Sequence, residues 1–402
     1  MQTLFRRALL LFAALSLVSA FFSAAANAAA HEETTSRSFT APKETRFLLE
    51  NLAGEIVIER SAGDTLELAA RTVAEAGSEK EAASLARSVK LDIDESGRQI
   101  AVRTMYPLDD HEIYIYRPEG AGRFSHHTRY HDRKILVTSE ERRGGVHVHT
   151  DFVLKVPDGA RVKVENVAGR IEAADLNADL FLGTGAGAVD VSGVTGKLLL
   201  DTGSAPVSVR EHRGDVMADT GSGSVLIEDL AGNASADTGS GSVSLRRVEG
   251  DVHADTGSGS VKIEEVTAGR IHADTGSGSV SLREATGSLH ADTGSGSVQA
   301  EDFFAGESVE VDTGSGSVAL EGNLAEVRRL RIDTGSGSVR IRTAQLPSLH
   351  LETSAGSGRV EVDLPALSGV RSGRRYFEGD VGDGDGEAVI DTGSGSISLR
   401  MQ

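Results

Sequence analysis

The sequence predicts an all-β chain: a single-chain parallel β-helix, or solenoid, with coils of about 18 residues, preceded by a small α+β N-terminal region. Three observations predict it. The hexapeptide Asp-Thr-Gly-Ser-Gly-Ser, followed by Val or Ile, starts at Asp219, Asp237, Asp255, Asp274, Asp292, Asp312, Asp333 and Asp391, with degenerate copies at Asp201 and Glu352. From Asp201 to Glu352 the starts lie 18, 18, 18, 19, 18, 20, 21 and 19 residues apart, a short period that marks one strand-turn unit per repeat. Apolar residues within each repeat recur at the strand period of two and never at the helical spacing of three and four. A propeller blade needs about 40 residues, more than this period supplies.

Taken in order, the chain divides into residues 1–28, 29–145 and 146–402. Residues 1–28 read as a signal peptide. Arg6 and Arg7 charge its start, Ala8 to Phe22 is apolar but short for a membrane span, and Ala26-Asn27-Ala28 and Ala28-Ala29-Ala30 both offer cleavage sites. The expectation is an exported protein, placed in the periplasm, on the cell surface or outside the cell, with no stable membrane span after cleavage. Among 402 residues there is no Cys, so disulfides and thiolate chemistry are excluded. Aromatics make up 4%, Trp is absent and Gly fills 47 positions, which suits stacked short strands better than a core of bulky side chains. A formal charge of −19 argues against nucleic acid and anionic membrane surfaces as partners.

In residues 29–145, Phe47 to Ile58 reads as two short strands broken at Asn51 to Gly54, and Thr65 to Val73 as a third. Ser78, with Glu81 three residues on, caps a helix running to about Ser88. Strands follow at Val89–Ile93 and Gln99–Thr104. Pro107 to Lys134 is rich in His, Asp and Tyr and reads as a polar surface loop. Its His111, His126, His127 and His131, with His147 and His149 beyond, are metal-ligand residue types, but no tight ligand spacing such as HExxH occurs.

The period begins before the hexapeptide is recognisable, at Glu165 and Gly183. Numbering each repeat from its Asp as 0, apolar residues fall at −3 and −1, as in Val216 and Ala218, and at +6 and +8, as in Val225 and Ile227. A third inward point lies five residues after that Val, at Leu230, Val248, Val266, Ala285 or Phe303. Strand parity then turns Asp and the Gly at +2 outward and Thr and the Ser at +3 inward. It makes the Gly-Ser pair at +4 and +5 the bend, where Gly takes backbone angles closed to other residues. Gly369 to Gly386 interrupts the array as a looped-out insertion or an irregular coil. Its Asp383-Gly-Asp385-Gly lacks the remaining ligands of a calcium loop.

Two outward rows are the candidate site. His253, His272 and His290 stand at −2 in successive coils beside Asp255, Asp274 and Asp292, and the six are the candidate ligands of a divalent cation; no other cofactor is expected. Asp-Thr-Gly is also the aspartic-protease signature, but that chemistry needs two carboxylates about 3 Å apart, and stacked repeats give a row instead. Polysaccharide cleavage on a β-helix would need aromatic stacking surfaces and grouped acids and bases, and from Val189 to Leu351 the only aromatics are Phe303 and Phe304.

Glu50-Asn-Leu-Ala-Gly-Glu-Ile56 and its near-copy Glu165-Asn-Val-Ala-Gly-Arg-Ile171, the strand entry Val156-Pro-Asp-Gly159, the Thr-Gly-Ser-Gly-Ser-Val coils and the closing Gly379 to Leu399 stretch resemble the bacterial putative-adhesin family. The resemblance covers about Phe47 to Arg400. It implies exported β-strand-repeat proteins carrying a domain of unknown function, and it brings no catalytic residues. The expected function is non-enzymatic: adhesion, protein interaction or structure at the bacterial cell envelope, with an envelope or surface protein or a glycan as partner. The alternatives are a polysaccharide-active β-helix enzyme and a periplasmic metal-binding or sensor module.

Overall fold

The computed structural model describes residues 29–41, 44–117 and 123–401. The signal peptide read in residues 1–28, and residues 118–122 of the His-rich segment, lie outside the described residues. Strand accounts for 66% of the structure and helix for 3%, and about 12 turns of roughly 19-residue coils form the solenoid that the repeat predicts. The described chain divides into two compact units. One runs to Ala160 and takes in Val164–Ala173; the other comprises Arg161–Lys163 and the chain from Ala174.

In the first unit, strand Ala29–Thr40 lies antiparallel to Thr65–Ala76, which pairs along its other edge with His147–Val156. The predicted helix spans Glu79–Ser88. The Ser78 hydroxyl caps it by accepting the Glu81 N–H at 3.3 Å, and Ala82, Ala83 and Ala86 form the buried stripe. Lys90–Ser96 and Gln99–Met105 form the expected antiparallel pair. The two copies of Glu-Asn-x-Ala-Gly-x-Ile stack on each other. Strand Ile56–Arg60 runs parallel between His147–Val156 and Ile171–Ala174, so the early copy is interleaved between later segments. Asn166 Nδ2 donates to Gly54 O at 2.8 Å, as Asn51 Nδ2 does to Thr150 O at 2.9 Å, so each Asn amide ties its corner to the next.

Pro107 to Lys134 departs from the loop reading. It contributes strands Ile113–Ile115 and Ser125–Tyr130 to a three-stranded sheet with Arg133–Thr138. Tyr114, Tyr116 and Tyr130 are buried with Tyr106. Tyr106 meets Tyr114 and Tyr130 edge-on, with centroids 5.5 and 6.2 Å apart. Tyr130 donates to Thr104 O at 2.7 Å and Tyr106 to Ala53 O at 3.1 Å. The aromatics are separated in sequence by polar residues that face out, so composition averaged over the segment hides its inner face.

In the second unit most coils have two strands, and Val261–Thr275, Val280–Thr293 and Val298–Thr313 run unbroken round the second corner. Val216–Thr220 stacks in parallel on Ala234–Thr238, and Val225–Ala231 on Val243–Glu249. The positions at −3, −1, +6 and +8 are buried, and +11 is buried from His212 through Leu230, Val248, Val266 and Ala285 to Phe303. Residues +8 and +11 both face inward although they are an odd number apart. A left-handed residue at +10 absorbs the odd step: Glu211, Asp229, Arg247, Glu265, Glu284 and Asp302 all have φ between 50° and 57°.

The C-terminal coils leave sequence order. Strands Gly386–Thr392 and Ile397–Met401 lie on one side against Arg329–Thr334 and Val339–Thr343. On the other side they lie against Leu349–Ala355 and Val360–Asp363. The last coil is therefore inserted between two coils that are consecutive in sequence. Strands Leu367–Ser372 and Tyr376–Val381 form an antiparallel hairpin that caps the outer edge of Leu349–Ala355. The insertion read at Gly369 to Gly386 covers the end of the outer arm, the turn, the inner arm Tyr376–Val381 and the connection to the last coil.

Candidate functional site

The hexapeptide builds the site by dividing its residues between two faces. Thr at +1 is buried in every coil from Thr202 to Thr334 and again at Thr392. Its hydroxyl binds two coils at once. Thr238 Oγ1 donates to Gly223 O of the preceding coil at 2.9 Å and accepts the N–H of Gly241 in its own coil at 3.0 Å. The same pair of bonds recurs at Thr256, Thr275, Thr293, Thr313, Thr334 and Thr392.

Two parity assignments change. Ser at +3 (Ser222, Ser240 and Ser258 among them) is exposed, and the bend falls at the Gly-Ser pair +2 and +3. Gly at +4 takes the inward place because the Thr hydroxyl needs its N–H and C=O there. The reason for glycine also differs from the expected one. Gly223, Gly241 and Gly259 do not have positive φ; a Cβ at any of them would stand 1.8–1.9 Å from a carbonyl oxygen of the coil before. Coil contact, not backbone angle, demands glycine.

The degenerate copy at Glu352 also shifts. Ser354, not Glu352, pairs with Asp391, Ala355 with Thr392 and Val360 with Ile397, so the repeat reads Ser-Ala-Gly-Ser-Gly-Arg-Val.

Asp at 0 faces out, as predicted. The row runs in register through Asp201, Asp219, Asp237, Asp255, Asp274, Asp292, Asp312, Asp333 and Asp391. At a strand spacing of about 4.8 Å, adjacent charges repel by about 0.9 kcal/mol in bulk water. Partial burial raises the Asp274 carboxyl pKa, and the charges of Asp255 and Asp292 raise it further. Asp312 and Asp391 are raised likewise, by burial first and then by the carboxylates on either side. No Arg, Lys or His lies within ion-pair distance of this row among the described residues. The second strand's outer face is different, because its charges pair across coils: Arg210 with Glu228 at 3.1 Å, Arg246 with Glu265 at 3.0 Å, and Arg247 with Asp229.

His253, His272 and His290 stand in register at −2 beside the Asp row. Their rings stack nearly parallel, with centroids 4.6 and 4.8 Å apart. Burial, then the neighbouring imidazoles, lowers the His272 pKa. His290 Nδ1 lies 3.4 Å from Glu310. The six candidate ligands thus form two parallel rows. Among the described residues, no three His, Asp or Glu side chains converge in metal-binding geometry.

A second feature was only half legible. A polar cleft of about 240 Å³ in the first unit is lined by Glu75, Tyr116, Arg117 and Asp151, among others, with Arg71 and both His147 and His149. The alternation His147-Val-His149 correctly sets both rings on one strand face. Arg71 and Tyr116 come from distant segments and carry no local signal. Arg71 pairs with Asp151 at 2.8 Å, while its Nε is buried without a hydrogen-bond partner. Burial holds His149 below the usual imidazole range, partly offset by Asp151, and raises the Tyr116 phenol. The cleft offers donors and acceptors to a small polar ligand.

The Toastrack DUF4097 family model matches residues 49–369. The chain belongs to that family. No curated protein sequence matches it. Solved structures that it resembles include a "putative cell adhesion protein" from Clostridium sporogenes (11% identity, TM-score 0.21, covering 93% of this chain and 100% of that one). A "putative lipid binding protein" from Parabacteroides distasonis has 11% identity and TM-score 0.28, covering 77% of this chain and 96% of that one. A "putative adhesin" from Parabacteroides merdae has 13% identity and TM-score 0.23, covering 77% and 96%. Likeness at that level does not fix a function. Among the described residues, no helix of this Toastrack chain is long and apolar enough to cross a membrane.

Proposed function

We propose that this Toastrack protein is exported and works without catalysis, as an interaction or adhesion element of the bacterial envelope, with its outward Asp row as the binding face. The observation that carries this reading is the contrast between outward positions. At −2 the in-register residues vary freely through Met217, Ser235, His253, His272, His290, Glu310 and Arg331. At 0 they remain Asp through every complete copy, although the coil gains no ion pair from them. A row of like charges that the fold does not use supports recognition of a cationic surface, on a protein or an amine-bearing glycan. The first 28 residues support export.

The test is binding of the purified protein to isolated envelope fractions, compared with a variant carrying Asp→Asn at 237, 255, 274 and 292. The expected result is salt-sensitive binding that falls at least tenfold in the variant. Equal binding by both proteins would overturn the reading, and so would consumption of an envelope polysaccharide by the native protein. The in-register His row motivates one further arm, a bridging divalent cation. Zinc or calcium at millimolar concentration should then raise the melting temperature, and no shift would sink the metal reading alone.

A further inference from the structure

The last coil occupies a slot that sequence order alone would not leave. Coils Arg329–Thr343 and Leu349–Asp363 follow each other in the chain with a repeat step of normal length, yet they do not touch through their ladders. The coil Gly386–Met401 separates them and pairs in parallel with both.

Its seating is continuous with the rest of the stack. Gly386 N–H donates to Ser348 O at 3.0 Å on one side, and Glu387 N–H donates to Arg328 O at 2.9 Å on the other. Thr392 Oγ1 donates to Gly337 O at 2.8 Å and accepts the Gly395 N–H at 3.0 Å, as each buried Thr does. Ser396 N–H donates to Ser338 Oγ, and Arg359 N–H to Ser396 Oγ, both at 3.2 Å.

The coil it displaces could not make the threonine bonds. Ala355 stands where the other coils have Thr, so Leu349–Asp363 brings no hydroxyl to Gly337 O. Val360 and Val362 of that coil are only half-buried, as suits a terminal layer. The slot is therefore complementary to one kind of occupant, a complete Asp-Thr-Gly-Ser-Gly-Ser coil. The chain supplies it from its own C-terminus, through a four-residue connection, Gly382 to Asp385, in which Gly382 and Gly384 have φ of 64° and 73°.

We propose that this slot is an exchange site between copies of the chain: the C-terminal coil Gly386–Met401 of one molecule inserts between coils Arg329–Thr343 and Leu349–Asp363 of a second. Each of these bonds depends on the coil's own residues and the two slot walls, so the same set forms whether the coil arrives from its own chain or from another. With the coil withdrawn, the two walls can close on each other in sequence order with the same Gly-x-Gly spacing, Gly335 and Gly337 against Gly356 and Gly358. That gives the emptied molecule a folded state to wait in.

The cysteine-free chain makes the test direct. Full-length Ser338→Cys and Ser396→Cys proteins are mixed, incubated under native conditions and oxidised. Insertion in trans places the two thiols on adjacent strands, within disulfide reach. The expected result is a disulfide-linked heterodimer that grows with concentration and incubation time. Ser224→Cys in place of Ser338→Cys sets the background of random cross-linking. The double variant Ser338→Cys/Ser396→Cys should close within one molecule, which confirms the seating and should block exchange. Heterodimer at background level, with the double variant closing quantitatively, overturns the proposal.

Discussion

Thr256 and Asp255 are neighbours in one strand of one repeat, and they face opposite ways. The Thr256 hydroxyl is fully buried; it donates to Gly241 O at 2.7 Å and accepts the Gly259 N–H at 3.0 Å. Asp255 is half-exposed, stands between Asp237 and Asp274 and has no cationic partner among the described residues. The inner residue is held by geometry that few side chains can satisfy: a small β-branched alcohol over a glycine with no room for a Cβ. The outer residue works against the fold, since each added carboxylate raises the charge on the row. Strict repetition thus has different causes on the two faces. Inside, the coil requires it. Outside, no ion pair holds the residue, and on the proposed reading the persistence of Asp reflects a partner.

The largest effect should come from the inner face. In Gly259→Ala the new methyl would stand 1.8 Å from Gly241 O, a backbone atom of the preceding coil that cannot swing aside. Overpacking of this severity should cost about 3 kcal/mol or more. Because each coil touches only its neighbours, the damage should stay local. Hydrogen exchange should accelerate in coils 237–254 and 255–273 while Tyr106 and its surroundings in the first unit keep their protection. Uniform loss of protection through both units would break the view that coils fail one at a time.

Thr256→Val should come next. The shape is kept and the hydroxyl lost, which leaves the buried Gly241 O without this donor and the half-buried Gly259 N–H without its acceptor and costs about 1–3 kcal/mol. Thr256→Ser retains the bonds and should lose less. Urea unfolding that ranks Ser at or below Val would show the methyl, not the hydroxyl, to be what the inner row selects.

The same contrast explains how much could be read from the sequence. The period, the inward pairs at −3 and −1 and at +6 and +8, and the outward Asp row follow from the repeat and from alternation within each strand, because a strand's parity is a local property. Parity across the bend is not local. Whether Ser222 or Gly223 faces inward depends on the hydroxyl of Thr220, which needs the Gly223 N–H at 2.9 Å. The register of the Glu352 copy, and the insertion of Gly386–Met401 one coil out of order, rest on pairings tens of residues apart, which spacing cannot reveal. The Tyr cluster and the cleft with Arg71 and Tyr116 were hidden for the same reason. Their residues come from separate strands, so no short window holds them together.

The smallest effect should appear on the outer face, with the opposite sign. Burial and the flanking carboxylates raise the folded pKa of Asp274 above 3.8, so the native state holds this proton more tightly than the unfolded chain does. At neutral pH the charged row therefore costs stability, and the cost is relieved as pH falls through the raised value towards 3.8. Asp274→Asn removes it outright. The variant should melt above the parent at pH 7 by less than about 1 kcal/mol, since the group is largely solvent-screened, and the difference should close by about pH 4. His272 provides an internal reference of the other sign. Its folded pKa is lowered below 6.5, so the unfolded chain takes up that proton first and both proteins should lose stability as pH drops below 6.5. Because the Asp274 charge raises the His272 pKa, the loss should be slightly steeper in the variant. Should Asp274→Asn instead destabilise the protein at pH 7, the Asp row contributes to the coil after all, and the argument that it is kept for a partner fails with it.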